Sequence, residues 1–518
     1  MGIPAYFSHI IKEHRNVLKQ ISCKKFGKCT HLFLDSNSII YDVIRSQTYE
    51  PPSSKNHQAL KEYNIEFDKF VIHEICKQIN YYISIINPSR FVMIAFDGVA
   101  PAAKLKQQQT RRYKNDYIKN KFATTTTDAV WNTSAITPGT KFMRDLSIGV
   151  TDFFNNKKNV LVTASDEAGE GEHKIFEWIR KNKNKPEMSD AKCIIYGLDS
   201  DLIMLALQHL QHCNEIYLFR ETPHFIKSID NTLNPNELYA LDIPQLSDRV
   251  SETMKTLPRR HAISDYIFIS FLLGNDFIPH MPALNIRTNG IDRIFDAYRA
   301  TISKKTHLTQ QGRINWSAFK KFLGFLAKNE HNYIKHEYTL REKQEARITR
   351  TLHTKTPDEQ WDVIPLVDRS TEYYINPDDT GWEWRYYKSL LDVDTQLFTP
   401  KNICINYLEA LEWTLHYYTY GCKNQQWQYH YHYPPLLNDL YQTAPVFNTN
   451  FLEINKQMIT PEAQLAYVLP ETSSYLLSDE KRIQMKDFYA KTKNPEFHWS
   501  FCKYFWEGHI ILPPISIE

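Results

Sequence analysis

A chain of 518 residues, 42% hydrophobic and 23% charged, has room for two or more domains and a large core. A net charge of +3 excludes a generally polybasic coat but leaves room for a local basic site. No run approaches the ~18 apolar residues of a membrane span, the N-terminus lacks an apolar signal core, and the eight scattered cysteines form no C-x-x-C pair. The expectation is an intracellular, soluble protein, cytoplasmic with the nucleus left open, without a disulfide framework, a zinc site or a membrane partner.

Short apolar runs alternate with amphipathic stretches through the first three hundred or so residues, the pattern of a parallel sheet buried on both faces. Strands are predicted at 31–35 (HLFLD), 90–97 (RFVMIAFD), 159–165 (NVLVTAS), 192–199 (KCIIYGLD) and 215–220 (EIYLFR). Three of them end in Asp35, Asp97 and Asp199, where open α/β sheets place their ligands. One Asp after a strand is most simply a helix N-cap; three of them, with Asp201, ask for another reason. Between the second and third strands, Thr137-Pro138 predicts a helix start, with Thr as N-cap and Pro at the first position.

Lys104, Gln108, Arg111 and Arg112 share one face of a predicted helix that follows Asp97 directly. A basic run is ordinarily a solvated face. Its adjacency to the acids predicts a phosphate pocket instead, since Arg offers a planar fork and Lys a point charge. In Gly169-Glu170-Gly171-Glu172-His173, two carboxylates stand at a helix start, where they could equally serve the helix dipole; His173 is open between ligand and supporting residue. A further acid, Asp276, follows the apolar stretch 271–273. Like carboxylates gathered in one place repel unless a cation neutralises them, and all-oxygen donors suit Mg²⁺ or Mn²⁺. Multi-carboxylate metal clefts cut phosphodiesters.

From 306 the pattern turns helical and polar. Residues 349–379, rich in Pro, Thr and charge, read as a long loop or linker. In the aromatic tract that follows, Trp413, Tyr417 and Tyr420 have helical spacing and read as core; Trp427, in a Gln-rich stretch, is the one placed to stack on a base. The domain expectation is 1–305 carrying the acids and 306–518 walling them in.

These motifs resemble the Xrn-type 5′→3′ exoribonuclease family. The matching pieces are MGIP at the N-terminus, LDSNSIIYD at 34–42, AFDGVAPAAKLKQQQTRRYK at 95–114, ITPGTKFM at 136–143, GEGEHKI at 169–175, YGLDSDLIML at 196–205, FLLGNDFIPHMP at 271–282 and YHYHYPPL at 429–436. The resemblance implies an α/β fold: a mainly parallel sheet nuclease domain flanked by helices, with a second, mostly helical region closing the active site. It implies a metal set of Asp35, Asp97, Glu170, Glu172, Asp199, Asp201 and Asp276 holding two Mg²⁺ or Mn²⁺ ions, and a 5′-monophosphate pocket of Lys104, Gln108, Arg111 and Arg112. Trp427 would stack on the 5′ base. The implied substrate is single-stranded RNA with a 5′-monophosphate, cut by a monomer acting after the decapping machinery. The chain departs from the family at Tyr41, where the family carries a base-stacking His, and it ends just after the second conserved region. Two other readings stay open on the sequence: a flap-type DNA endonuclease and an inactive RNA-binding scaffold.

Overall fold

The computed structural model describes residues 2–14, 16–21, 27–46, 57–122, 131–197, 199–220, 231, 233–234, 236–255, 258–302, 306–397 and 399–517. Met1, Cys23 and Leu198 lie outside the described residues. A seven-stranded sheet organises the N-terminal part: β1 (Leu18–Gln20), β2 (His31–Asp35), β3 (Phe91–Ala95), β4 (Val160–Thr163), β5 (Lys192–Tyr196), β6 (Glu215–Arg220) and β7 (Tyr239–Asp242), in the order β1-β7-β6-β5-β2-β3-β4. The five predicted strands form its parallel body, with Asp35 opposite Ala95 and Leu34 opposite Tyr196. The edge pair β7 and β1 runs antiparallel; three or four half-buried residues each give too little periodicity to be read in advance.

Successive residues of each strand face opposite sides. Leu32, Leu34, Val92, Ile94 and Ile194 pack with Val71, Ile75 and Ile79 of the helix His57–Ile86 and with Phe142 and Leu146 of the helix Lys141–Phe154. Phe33, Met93 and Ile195 face the other way, onto Ile175 and Phe176 of the helix Gly171–Asn182 and Leu202 of the helix Asp201–His209. This second core continues without a break into the C-terminal part, through Phe319 and Phe322 of the helix Trp316–Thr351 and Tyr407, Leu411 and Trp413 of the helix Lys401–Tyr420.

Two sequence expectations are corrected. The helix expected to start at Thr137-Pro138 starts at Lys141, because Thr140 supplies the N-cap, its Oγ1 accepting from Met143 N. The expected loop at 349–379 is instead the end of the long helix followed by Pro357–Asp362, Ile364–Val367 and Ser370–Ile375. Pro357 and Pro365 open helices rather than break them. The segment packs through charge, which hides its period: Glu372 accepts from Arg369 Nε (2.7 Å), Arg341 Nε (2.8 Å) and Phe501 N (2.8 Å), all buried.

Candidate metal and phosphate site

Asp35 closes β2, and Asp97 lies two residues beyond β3. The loop 97–99 is laced to the loop before Glu170: Gly98 N donates to Gly169 O (2.8 Å), and Gly169 N donates to Val99 O (2.9 Å). A Cβ at Gly98 would stand 1.7 Å from Glu167 O, so no other residue fits. Lys174 Nζ donates to Phe96 O and Ala164 O, both at 2.8 Å, fixing the following helix on the strand ends. Gly171 N then donates to Asp97 Oδ1 (2.7 Å). Asn37, at the start of the first motif's helix, donates through Nδ2 to Asp97 Oδ2 (2.7 Å) and accepts from Asp97 N (3.1 Å).

The remaining acids arrive from other elements. Glu170, Glu172 and Asp201 are buried, and Asp276 accepts from Gly2 N at Oδ1 (3.0 Å). Lys104 reaches in from the helix Ala102–Phe122 and pairs with Glu170 (2.8 Å) and Asp276 (2.9 Å), its side chain 10% exposed. Asp199 stands exposed at the rim, near enough for its charge to act on Asp35 and Asp201.

Four of the cluster's carboxyls, Asp35, Asp97, Glu172 and Asp201, resist ionisation. Burial first, then Asp97, Asp199 and Glu170, hold Asp35 well above the ordinary carboxylate range. Burial and Glu170 push Asp97 up to about 6; burial and Asp276 push Asp201 up to about 7; burial and Glu170 also raise Glu172. Burial opposes ionisation of Asp276 as well, but Lys104 more than offsets it and the net direction is down. Asp35 Oδ1 and Glu172 Oε2 are buried with no hydrogen-bond partner among the described residues. Orphaned anionic oxygens among like charges fit a hard divalent cation. Glu170, Glu172 and His173 also offer one ligand atom each within 4.8 Å of one another. Burial keeps the His173 imidazole neutral.

A pH-dependent stability follows. Asp97 and Asp201 hold their protons more tightly folded than the ordinary value near 4, so the stability these two groups contribute to the metal-free fold is fully present at low pH and is lost as pH rises through about 6 to 7. A cation removes the repulsion that develops there. Thermal scans are expected to show a Mg²⁺-induced rise in Tm that is several degrees larger at about pH 8 than at about pH 5.5; an equal rise at both would remove these carboxyls from the metal site.

The basic helix divides its residues. Lys104 faces the acids, Arg111 is exposed and acts electrostatically on Asp276, and Gln108 is half-buried. Arg112 is half-buried toward Tyr41; its Nη2 donates to Ile136 O, and its Nη1 is buried with no partner among the described residues. Burial draws its guanidinium down to about 10. Tyr41 is half-buried against the core on its inner side.

Trp427 is 8% exposed. It begins a column of rings: Trp427 on Trp413 (5.2 Å, 25°), Trp413 on Tyr417 (4.7 Å, 24°), and Tyr417 on His173 (3.7 Å, 28°). Tyr417 Oη donates to Glu170 Oε2 (2.6 Å), so the column ends on an acid of the cluster. Sequence reasoning took Tyr417 for core alone and passed over Asn37. The second had a signal, lying two residues after Asp35; the first had none, since helical spacing reads the same for core and for site.

The sequence as a whole has relatives. The family description "XRN 5'-3' exonuclease N-terminus" matches residues 1–222, and "Xrn1 helical domain" matches 258–373 and 368–515. The chain is 27% identical to 5'-3' exoribonuclease 1 of Homo sapiens, over 92% of this chain and 31% of that protein. It is 24% identical to 5'-3' exoribonuclease 2 of Gallus gallus, over 99% of this chain and 68% of that protein. Against 5'-3' exoribonuclease 1 of Saccharomyces cerevisiae the identity is 24%, over 94% of this chain and 40% of that protein. The chain thus spans about a third of the human relative's length. With both family descriptions matched in order around a buried acidic cluster, the chain belongs to the Xrn family of 5′-3′ exonucleases.

Proposed function

We propose that this chain is a 5′→3′ exoribonuclease: it hydrolyses the first phosphodiester of single-stranded RNA bearing a 5′-monophosphate and releases a nucleoside 5′-monophosphate. The observation that carries the reading is the convergence of Asp35, Asp97, Glu170, Glu172, Asp201 and Asp276 beside a helix that carries Arg111 and Arg112. The relatives' names agree with it. No observation favours the endonuclease or the inactive scaffold.

The acids, with Asp199 at the rim, would hold two Mg²⁺ or Mn²⁺ ions, which when bound supply an activated water and charge stabilisation at the leaving 3′-oxygen. Arg111, Arg112 and Gln108 take the 5′-phosphate; Arg112 Nη1, buried with no partner among the described residues, has a donor free for it. Lys104 sits between phosphate and acids, and its pairing with Glu170 and Asp276 becomes free for the phosphate once those carboxylates are otherwise neutralised. Residues 1–305 carry this chemistry and 306–518 wall it in. The enzyme would work as a monomer on ends exposed by the decapping machinery, in the cytoplasm.

The test compares one RNA with a 5′-monophosphate, 5′-triphosphate or 5′-hydroxyl end, with Mg²⁺ or EDTA. Only the monophosphate with Mg²⁺ should be degraded rapidly. Equal rates on monophosphate and hydroxyl ends would remove the phosphate pocket; survival of a circular RNA is required of an exonuclease.

Tyr41 and Trp427 would stack on the 5′ base. Stacking contributes ~1–3 kcal/mol per base and tolerates any base. Tyr41→Phe should therefore be nearly silent, while Tyr41→Ala slows degradation of every sequence with little change in Tm. A destabilised but fully active Tyr41→Ala protein would make Tyr41 a core residue only.

A further inference from the structure

Along the basic helix, adjoining its contacts with the acids, lies a chamber of about 530 Å³, a size that suits a small organic ligand. Asp276 and Arg111 line it, so one wall is shared with the cluster, and Tyr429, residues 431–433 and residues 506–509 line it as well. Its charge is unbalanced. The carboxylates on its wall are already paired, Asp276 with Lys104 (2.9 Å) and Glu507 with Arg287 (2.6 Å). Lys106 and Lys114 have no ion-pair partner among the described residues; they donate to main-chain carbonyls, Lys106 to Tyr429 O (2.6 Å) and Lys114 to Trp506 O (2.5 Å) and Gly508 O (2.7 Å). Burial draws each of these ammonium groups down to about 8; for Lys106 no charge offsets it, and for Lys114 the Glu507 carboxylate, itself paired with Arg287, offsets it only in part.

The lining also carries buried polar atoms with no hydrogen-bond partner among the described residues: Gln107 Oε1, Asn275 Nδ2 and His280 Nε2. A buried polar group left unmade is costly, and here an acceptor, a donor and an imidazole nitrogen stand around one space. Cations for a phosphate and mixed donors and acceptors for a heterocycle describe a nucleotide. The size and position, beside the acids rather than along the surface, favour a mononucleotide over a strand.

We propose that this chamber holds a nucleoside 5′-monophosphate, the product of the reaction proposed above, after it leaves the acidic cluster and before it escapes. The inference rests on that reading of the reaction. Arg111, common to both compartments, hands the phosphate from one to the other, and Lys106 and Lys114 receive it. A separate product site lets the new 5′ end advance before the previous nucleotide has left.

Calorimetric titration of AMP and UMP into the full chain in EDTA tests it, alongside degradation of 5′-monophosphate RNA in Mg²⁺. Binding is expected at or below about 1 mM, with adenosine and inorganic phosphate at least about tenfold weaker. Lys106→Gln should weaken AMP by about tenfold or more without changing KM for RNA. Gln107→Leu, which removes a side-chain amide whose Oε1 has no partner among the described residues, should weaken it too and guards against a folding defect at Lys106. AMP should inhibit non-competitively against RNA. If RNA is degraded but AMP does not bind, the chamber is no product site while the reaction stands. Competitive inhibition, or AMP affinity lost in Arg112→Lys and kept in Lys106→Gln, puts the nucleotide in the 5′ pocket and overturns the proposal. AMP binding without RNA degradation overturns the reaction, and the product role with it.

Discussion

Asp201→Ala is expected to lower RNA degradation by more than about a hundredfold while RNA binding survives, because the lost carboxylate contributes to stabilising charge in the transition state rather than to holding the strand. The same substitution should not destabilise the metal-free fold. Asp201 stands in the first turn of its helix, where an acid contributes ~0.3–1 kcal/mol through the dipole. Against that, burial and Asp276 raise its carboxyl from 3.8 to about 7. At about 1.4 kcal/mol per pKa unit, the relief from removing it at pH 8 outweighs the dipole. The metal-free variant should therefore melt at or above the parent, and Mg²⁺ should raise its Tm less. Activity within tenfold of the parent, or a clear fall in Tm, would make Asp201 a structural helix cap.

Gly171→Ala is expected to be nearly as damaging, for a steric reason. In an ordinary helix this exchange is stabilising by up to ~1 kcal/mol. Here the new Cβ would lie 2.6 Å from Asp35 Oδ1 and 3.1 Å from Ala95 O. The neighbours are a strand end and a carboxylate already crowded by like charges, and overpacking of this kind costs about 1–3 kcal/mol. The displaced group is the site itself, since Gly171 N also holds Asp97. A loss of activity of about a hundredfold with a modest drop in Tm is the expected pair of results. A stabilised and active protein would mean that Asp35 moves aside freely and is not held for catalysis.

How far the sequence could be read depends on what kind of force made each element. The parallel strands were legible because burial on both faces leaves continuous apolar runs such as Leu32 to Leu34 and Phe91 to Ala95. The acids were legible because three of them follow strand ends and the others recur beside apolar sequence, Glu170 and Glu172 at a helix start, Asp201 two residues after Asp199 and Asp276 after an apolar stretch; the resemblance gave them a common role. The helices between 357 and 375 were not legible, because the Arg341–Glu372–Arg369 network replaces an apolar stripe. Lys104 was grouped with the phosphate residues by helical spacing, which gives its face but not its reach; only the fold could show it paired with Glu170 and Asp276. Tyr417 was hidden for a related reason: one ring can fill a core and also hold an acid.

The ring column from Trp427 to His173 bears on whether the two halves can be parted. Glu170 sits on the N-terminal half, and its hydrogen-bond donor Tyr417 on the C-terminal half. The face that buries His173 is likewise supplied from the far side of the chain. A fragment ending near residue 305 would keep every carboxylate yet present Glu170 and His173 to water and leave Phe277 without the rings of Trp413 and Tyr417 against it. The acids and the wall around them are therefore one inheritable unit: a recombination or a protease cut between the halves yields neither a smaller nuclease nor a free-standing helical module, but two incomplete surfaces.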